Sequence, residues 1–219
     1  MVKVNKMSNV SVAIESALGA AKTITAISKA APGVVTATHD YSNGDYILLA
    51  TNVSQLDGRV FRVCNVSTTV SFQLEDINGG TGIDTTAIDT FVSGTAKKIT
   101  FGTSITTAAD IQVSGGDFGS IDTTLVHSNQ KTEIPGAANP VSLDVTHLWD
   151  VSSPGQIALK AASDAGTTKA FKLVYGIGGS VMVFAGTVGH AGVPNGGAQE
   201  KLTTKSTLKV SNQVTYYAV

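Results

Sequence analysis

Alternation with a period of two runs through most of this chain, and it restricts the fold more than any other feature. Val70, Phe72 and Leu74 alternate with Ser71, Gln73 and Glu75. Phe171, Leu173 and Tyr175 alternate with Lys172 and Val174. Leu202, Thr204, Ser206, Leu208 and Val210 alternate with Thr203, Lys205, Thr207 and Lys209. Successive side chains of a strand point to opposite faces, so each run buries one face and presents the other. Val, Ile and Thr dominate these runs, and branching at Cβ suits a pleated surface. The pattern predicts an all-β domain.

Turn signals divide the runs. Ser42-Asn43-Gly44-Asp45 separates Val34-Val35-Thr36 from Tyr46-Ile47-Leu48-Leu49, and Asn78-Gly79-Gly80 closes the Phe72 run. Gly176-Ile177-Gly178-Gly179 joins the Phe171 run to Val181-Met182-Val183-Phe184. Asn and Gly accept the positive φ that tight hairpins need, so Lys169 to Gly186 reads as a hairpin. One helix interrupts the strands. Ser153-Pro154-Gly155-Gln156 reads as an N-cap, Pro at the first helical position and the Gln of a capping box. Ile157, Ala158, Ala161 and Ala162 recur at helical spacing, and Gly166 is the expected stop. Two stretches lack periodicity and read as long loops: Gly79 to Ser93, and His127 to Pro140.

Composition narrows the function. Hydrophobic residues make up 42% of the 219, enough for a packed core, whereas charged residues are only 14%. A surface so poor in charge suits a protein that covers its exterior with neighbours; the alternative is a monomer solvated by hydroxyl groups. The net charge is −1 and Lys97-Lys98 is the only basic pair, so no nucleic-acid footprint is present. Cys64 is the single cysteine and falls in a strand-like run, where a small core residue is expected. Lys3 and Lys6 precede a mildly apolar stretch from Val10 to Ala21, but Glu15 interrupts it, which argues against a cleaved signal. No apolar run is long enough to span a bilayer.

Catalytic patterns are missing. The sequence contains no Walker A loop, no His-Glu-x-x-His, no Cys pair and no Gly-x-Ser-x-Gly. His39, His127, His147 and His190 lie far apart, without metal-ligand spacing. The Gly176 loop leads to a strand, not to the helix a dinucleotide site requires. Asp76, Asn78 and Asp84 fit turns better than a Ca²⁺ loop. Trp149 is expected to anchor the core beside the helix. No catalytic residue, cofactor or metal site is assigned.

The order of the pieces carries a resemblance. Ser16-Ala17-Leu18-Gly19-Ala20-Ala21-Lys22 leads to Ala31-Pro32-Gly33-Val34-Val35-Thr36, then to Asn43-Gly44-Asp45-Tyr46, Arg59-Val60-Phe61-Arg62-Val63 and Phe72-Gln73-Leu74-Glu75. Ser114-Gly115-Gly116-Asp117, the capped helix, the Lys169 hairpin and Gly196-Gly197-Ala198-Gln199-Glu200 follow. Taken together, the chain resembles the major tail tube protein of long-tailed bacteriophages, of the non-contractile kind. The resemblance implies one domain over residues 1–219, a β-sandwich or barrel-like fold flanked by a helix. About 32–94 resembles a β module that recurs in phage tail proteins and is expected as an insert. It further implies six-membered rings stacked into a hollow tube, contacts with other tail proteins, and passage of DNA through the lumen without specific binding. The subunit would be assembled in the host cytoplasm and reside in the virion tail, with no membrane partner. Other virion β proteins stay open as alternatives: a tail terminator, a decoration protein, or the inner tube of a contractile tail. An unrelated carbohydrate-binding sandwich is disfavoured, because aromatic residues are only 6% and sit in core-like runs.

Two sets of residues follow as candidates. The His127 to Pro140 segment, with His127, Asn129, Lys131, Glu133, Ile134 and Pro135, is an expected assembly loop, mobile in the free subunit, or else an idle surface loop. Asp110, Asp117, Asp122 and Asp144 are expected to make a phosphate-repelling lumen wall, or else are ordinary turn and surface residues.

Overall fold

A computed structural model of the chain describes residues 9–176 and 179–218; Lys3, Lys6 and the central Ile177-Gly178 of the expected turn lie outside them. The first half runs β1 (Val10–Ile14), β2 (Ala17–Leu18), β3 (Lys22–Ile27), β4 (Val35–Ala37), β5 (Tyr46–Thr51), β6 (Val60–Ser67), β7 (Ser71–Leu74) and β8 (Gly94–Thr100). There follow β9 (Thr103–Ser104), β10 (Ala108–Ser114), β11 (Phe118–Asp122), β12 (Glu133–Ala138) and β13 (Ser142–Leu148). Helix α1 (Pro154–Ala165) precedes β14 (Lys169–Tyr175), β15 (Val181–His190), β16 (Thr203–Val210) and β17 (Thr215–Tyr217). The all-β architecture with one helix is thus the fold that the alternation predicts.

The strands form two large sheets. An eight-stranded antiparallel sheet has the order β10-β13-β16-β15-β14-β1-β9, with β17 also on β15. The expected hairpin is its centre, with Lys169 opposite Gly186. One face of this sheet packs on α1 through Val12, Ile14, Phe171, Phe184, Val188, Leu208, Leu159 and Ala162. In the second sheet the pairings close a circuit, β8-β3-β4-β7-β6-β5 and back to β8, with β2 continuing the edge of β8. Closure leaves the circuit without a free edge. Its interior is filled by Ile24, Val35, Ile47, Leu49, Phe61, Val63 and Phe72, among others. Residues 32–94 supply β4 to β7 of this barrel; β2, β3 and nearly all of β8 flank them. The Gly79 to Ser93 segment is a loop, as expected, sealed onto the barrel by Thr85 and Ile88, both buried.

A third apolar cluster joins the barrel to the second face of the eight-stranded sheet: Val60 and Ile99 meet Ala170, Val181, Val183, Ala185 and Tyr217. Where the chain crosses from β1 to β2, Glu15 is buried, and its carboxylate accepts hydrogen bonds from Lys169 Nζ (3.0 Å) and the Ala170 N–H (3.1 Å). A buried carboxylate needs such partners to offset lost hydration.

The helix corrects two expectations. Its bounds and its Gly166 stop are as expected, Gly166 being left-handed at φ 59°. However, Ser153 makes no side-chain cap hydrogen bond, and Gln156 Nε2 donates instead to Leu148 O and Thr107 Oγ1. The buried stripe is Gly155, Gln156, Leu159 and Ala162, whereas Ile157 and Ala161 are exposed. Gly155 can approach β9 closely, and that contact rotates the helix away from the stripe set by Ile157. Cys64 is buried in β6, its thiol pushed up to about 11 by burial.

Candidate assembly site

The eight-stranded sheet leaves two features uncovered, and both begin at β10. This strand is a sheet edge over seven residues, with Val113 62% exposed. Beyond it the backbone turns left-handed at Gly115 and Gly116, φ 80° and 84°. A Cβ on Gly115 would lie 2.2 Å from Pro140 O, so no other residue fits without movement. The Gly116 N–H donates to Asn139 O (3.0 Å) and the Asn139 N–H donates to Asp117 O (2.8 Å), which fixes the base of a projecting ribbon.

That ribbon is the β11–β12 hairpin, a separate two-stranded sheet. Here the structure corrects the expected patternless loop from His127 to Pro140. Glu133, Ile134 and Pro135 lie on β12, whereas His127, Asn129 and Lys131 lie in the connection between the strands. Lys131 and Glu133 form an ion pair. Alternation is obscured because Pro135 and Gly136 interrupt β12, and because the register shifts between Phe118 and Ser120. Pro135 is tolerated because each strand of a lone pair has a free edge.

No residue of the hairpin is buried. Phe118 is 68% exposed, Leu125 62% and Val126 fully exposed, and Ile121 stands directly opposite Ile134. Two strands without a packed face are marginal in water, so these apolar groups lack the cover that would hold the ribbon. Sequence reasoning missed Phe118, Ile121, Leu125 and Val126. Leu125-Val126 in an otherwise polar stretch was the available signal.

The second feature is the polar face of β10, β13 and β16. Asp110 stands opposite Thr146 and Gln112 opposite Asp144. Asp144 stands opposite Thr207, whose hydroxyl donates to it at 2.7 Å. Lys205 and Lys209 occupy the same face, opposite Thr146 and Ser142. Two of the four candidate aspartates therefore share a surface, with two lysines beside them. The other two belong to the ribbon. Asp117 sits at its base, and Asp122 ends β11 with its carboxyl held below the usual range by hydrogen bonds from the Thr124 hydroxyl and N–H.

Elsewhere Trp149 is half-buried and donates from Nε1 to Gly192 O (3.2 Å), lining a groove beside α1. Asp84 caps a turn by accepting from the Thr86 N–H and hydroxyl. Among the described residues no three His, Cys, Asp or Glu side chains gather to hold a metal, and no helix is long and apolar enough to cross a membrane.

Comparison with known families agrees with this architecture. The family model described as phage tail tube protein, TTP, matches residues 51–219, from the last residue of β5 to the end of the chain. No curated protein matches. The matched span holds the helix, the ribbon, the polar sheet face and all the strands of the eight-stranded sheet except β1. This chain belongs to the phage tail tube protein family.

Proposed function

We propose that this tail structural protein is the repeating subunit of the tube, closing into rings of six that stack into a hollow conduit for the genome. The observation that carries the reading is the uncovered β11–β12 ribbon, whose apolar residues find cover on a neighbouring subunit. The free edge of β10 supports it, because an open edge in a monomer invites aggregation and a closed ring pairs it. In this reading the segment from His127 to Pro140 acts as an assembly element through the ribbon as a whole.

The polar face of β10, β13 and β16 lines the lumen. Asp110 and Asp144 offset Lys205 and Lys209 there, so that DNA passes without being held. The module at about 32–94, within the barrel, is an elaboration of the basic tube fold. The subunit acts by assembly, not catalysis, meets other tail proteins at the tube ends and is assembled in the host cytoplasm.

Negative-stain microscopy with analytical ultracentrifugation tests this. Long tubes, or rings that stack as concentration rises, are expected. A strict monomer under every condition would sink the proposal, and isolated rings that never stack would favour a tail terminator.

A further inference from the structure

Three strands of the eight-stranded sheet bring together groups that lie far apart in the sequence. His147 on β13, Ser206 on β16 and His190 on β15 are 0%, 0% and 4% exposed. Ser206 Oγ lies 2.8 Å from His147 Nε2 and 2.8 Å from His190 Nδ1. His190 Nδ1 is also 3.1 Å from Lys205 O. A carbonyl only accepts, so Nδ1 of His190 carries the proton. The serine hydroxyl then accepts from His190 and has one hydrogen left to donate, to His147 Nε2. His147 is therefore neutral, with its proton on Nδ1 directed at Thr107 Oγ1, 3.4 Å away. Gln156 of α1 donates to the same Thr107 oxygen, and the His190 N–H donates to Ser163 Oγ of α1 at 3.0 Å. The chain has one direction and ties three strands to the helix.

A second proton on His147 cannot be accommodated. Nε2–H would turn on Ser206, which would then face donors on both sides with no acceptor for its own hydrogen. The new charge would also lie buried without a counter-ion. The charged groups around the pair are Lys160 and Asp164 on α1, already bonded to each other, and Lys205 on β16, whose side chain is exposed. Among the described residues no carboxylate hydrogen-bonds to either ring. We propose that His147–Ser206–His190 is an acid-sensitive latch, closed while both rings are neutral and opened when His147 takes up a proton, which releases β13, β16 and β15 from α1.

Burial, with the neighbouring His190 as a lesser cause, pushes His147 down to about 4, and burial lowers His190 as well. An unfolded histidine titrates near ~6.5. The folded state thus binds fewer protons between these values. The latch stabilises fully above the unfolded value, and its contribution falls as pH drops from there toward 4. His147 lowers the folding equilibrium constant by up to about tenfold per pH unit across that window, and His190 shifts it in the same direction.

Urea unfolding of the wild type and His147→Gln at pH 7.5 and 5.0, above the main carboxylate range, measures the effect. The wild-type folding constant is expected to fall at least about tenfold more than that of the variant. An equal fall in both would overturn the proposal. If the variant does not fold, the wild type decides the matter by NMR: the His147 ring must stay neutral in the folded protein at pH 5, and a midpoint near ~6.5 would refute the latch. The latch belongs to the subunit and does not depend on ring formation.

Discussion

The Arg62 N–H donates to the Tyr217 hydroxyl at 2.6 Å, and the Arg62 guanidinium lies 4.4 Å from the centre of the Tyr217 ring. Arg62 is on β6 of the barrel and Tyr217 is on β17 of the eight-stranded sheet, so this pair bridges the two units 155 residues apart in sequence. Glu75 anchors the other side of Arg62 in an ion pair. Nearby, the Ala218 N–H donates to Ile77 O (2.7 Å) and Asn212 Nδ2 to Asp57 O (2.6 Å). The segment around β17 therefore straps the barrel to the eight-stranded sheet.

Tyr217 is fully buried, so its removal tests the strap. Tyr217→Ala should lose about 3–5 kcal/mol, the usual cost of emptying a buried aromatic site. Tyr217→Phe keeps the ring and loses only the hydrogen bond, for about 1 kcal/mol. Denaturant unfolding checks both. A loss below about 1 kcal/mol for the alanine variant would mean that β17 is not a strap.

Gly155 decides between two opposed effects. Alanine in a helix is ordinarily favoured over glycine by about 1 kcal/mol. At this position a Cβ would lie 2.9 Å from both Ile105 Cα and Ser104 O, backbone that cannot swing away. Overpacking of this kind costs about 1–3 kcal/mol, so Gly155→Ala should destabilise despite its better propensity. A variant with a raised melting temperature would show that α1 shifts freely on the sheet.

The ribbon should matter for assembly and not for folding. Replacing residues 118–138 by a two-glycine link leaves the Gly116–Asn139 closure in place and removes no buried side chain. Stability should change by no more than about 0.5 kcal/mol, as for surface changes generally, while polymerisation is lost. Tubes of normal appearance from the shortened chain would show the ribbon to be idle.

How far the sequence carries depends on whether a segment's pattern is set by its own neighbours. Lys169 to Gly186 was readable because alternation, β-branching and a Gly-rich turn all agree, and its two ends, Lys169 and Gly186, stand opposite each other. The helix ends were readable from Pro154 and Gly166, but its buried face was not. That face is set by Gly155 against β9, a contact some fifty residues away in sequence. The ribbon escaped because nothing in this subunit packs on it, so no buried face imposes alternation. Asp110 and Asp144 stand out in the sequence as acidic positions on polar strand faces, yet their shared face depends on the β10–β13 register, and Lys205 and Lys209 come to them through β16.

That mixed face gives the last prediction. With two aspartates and two lysines the charges nearly balance, and a single reversal tips the surface. Asp144→Lys leaves one acid and three bases, and loses only an exposed hydrogen bond to Thr207. Tubes should form as before. If the face lines the lumen, each phosphate a lysine meets releases counterions, so the variant should retain DNA at about 20 mM salt and let it go near about 200 mM. Asp164→Lys on α1 makes the same charge change on the other side of the sheet and serves as the control. Filter binding of short duplexes to purified tubes, with access only through the open ends, separates the two. Equal retention by both variants would mean that the polar face does not look inward. Retention by Asp144→Lys alone would place it on the path of the genome.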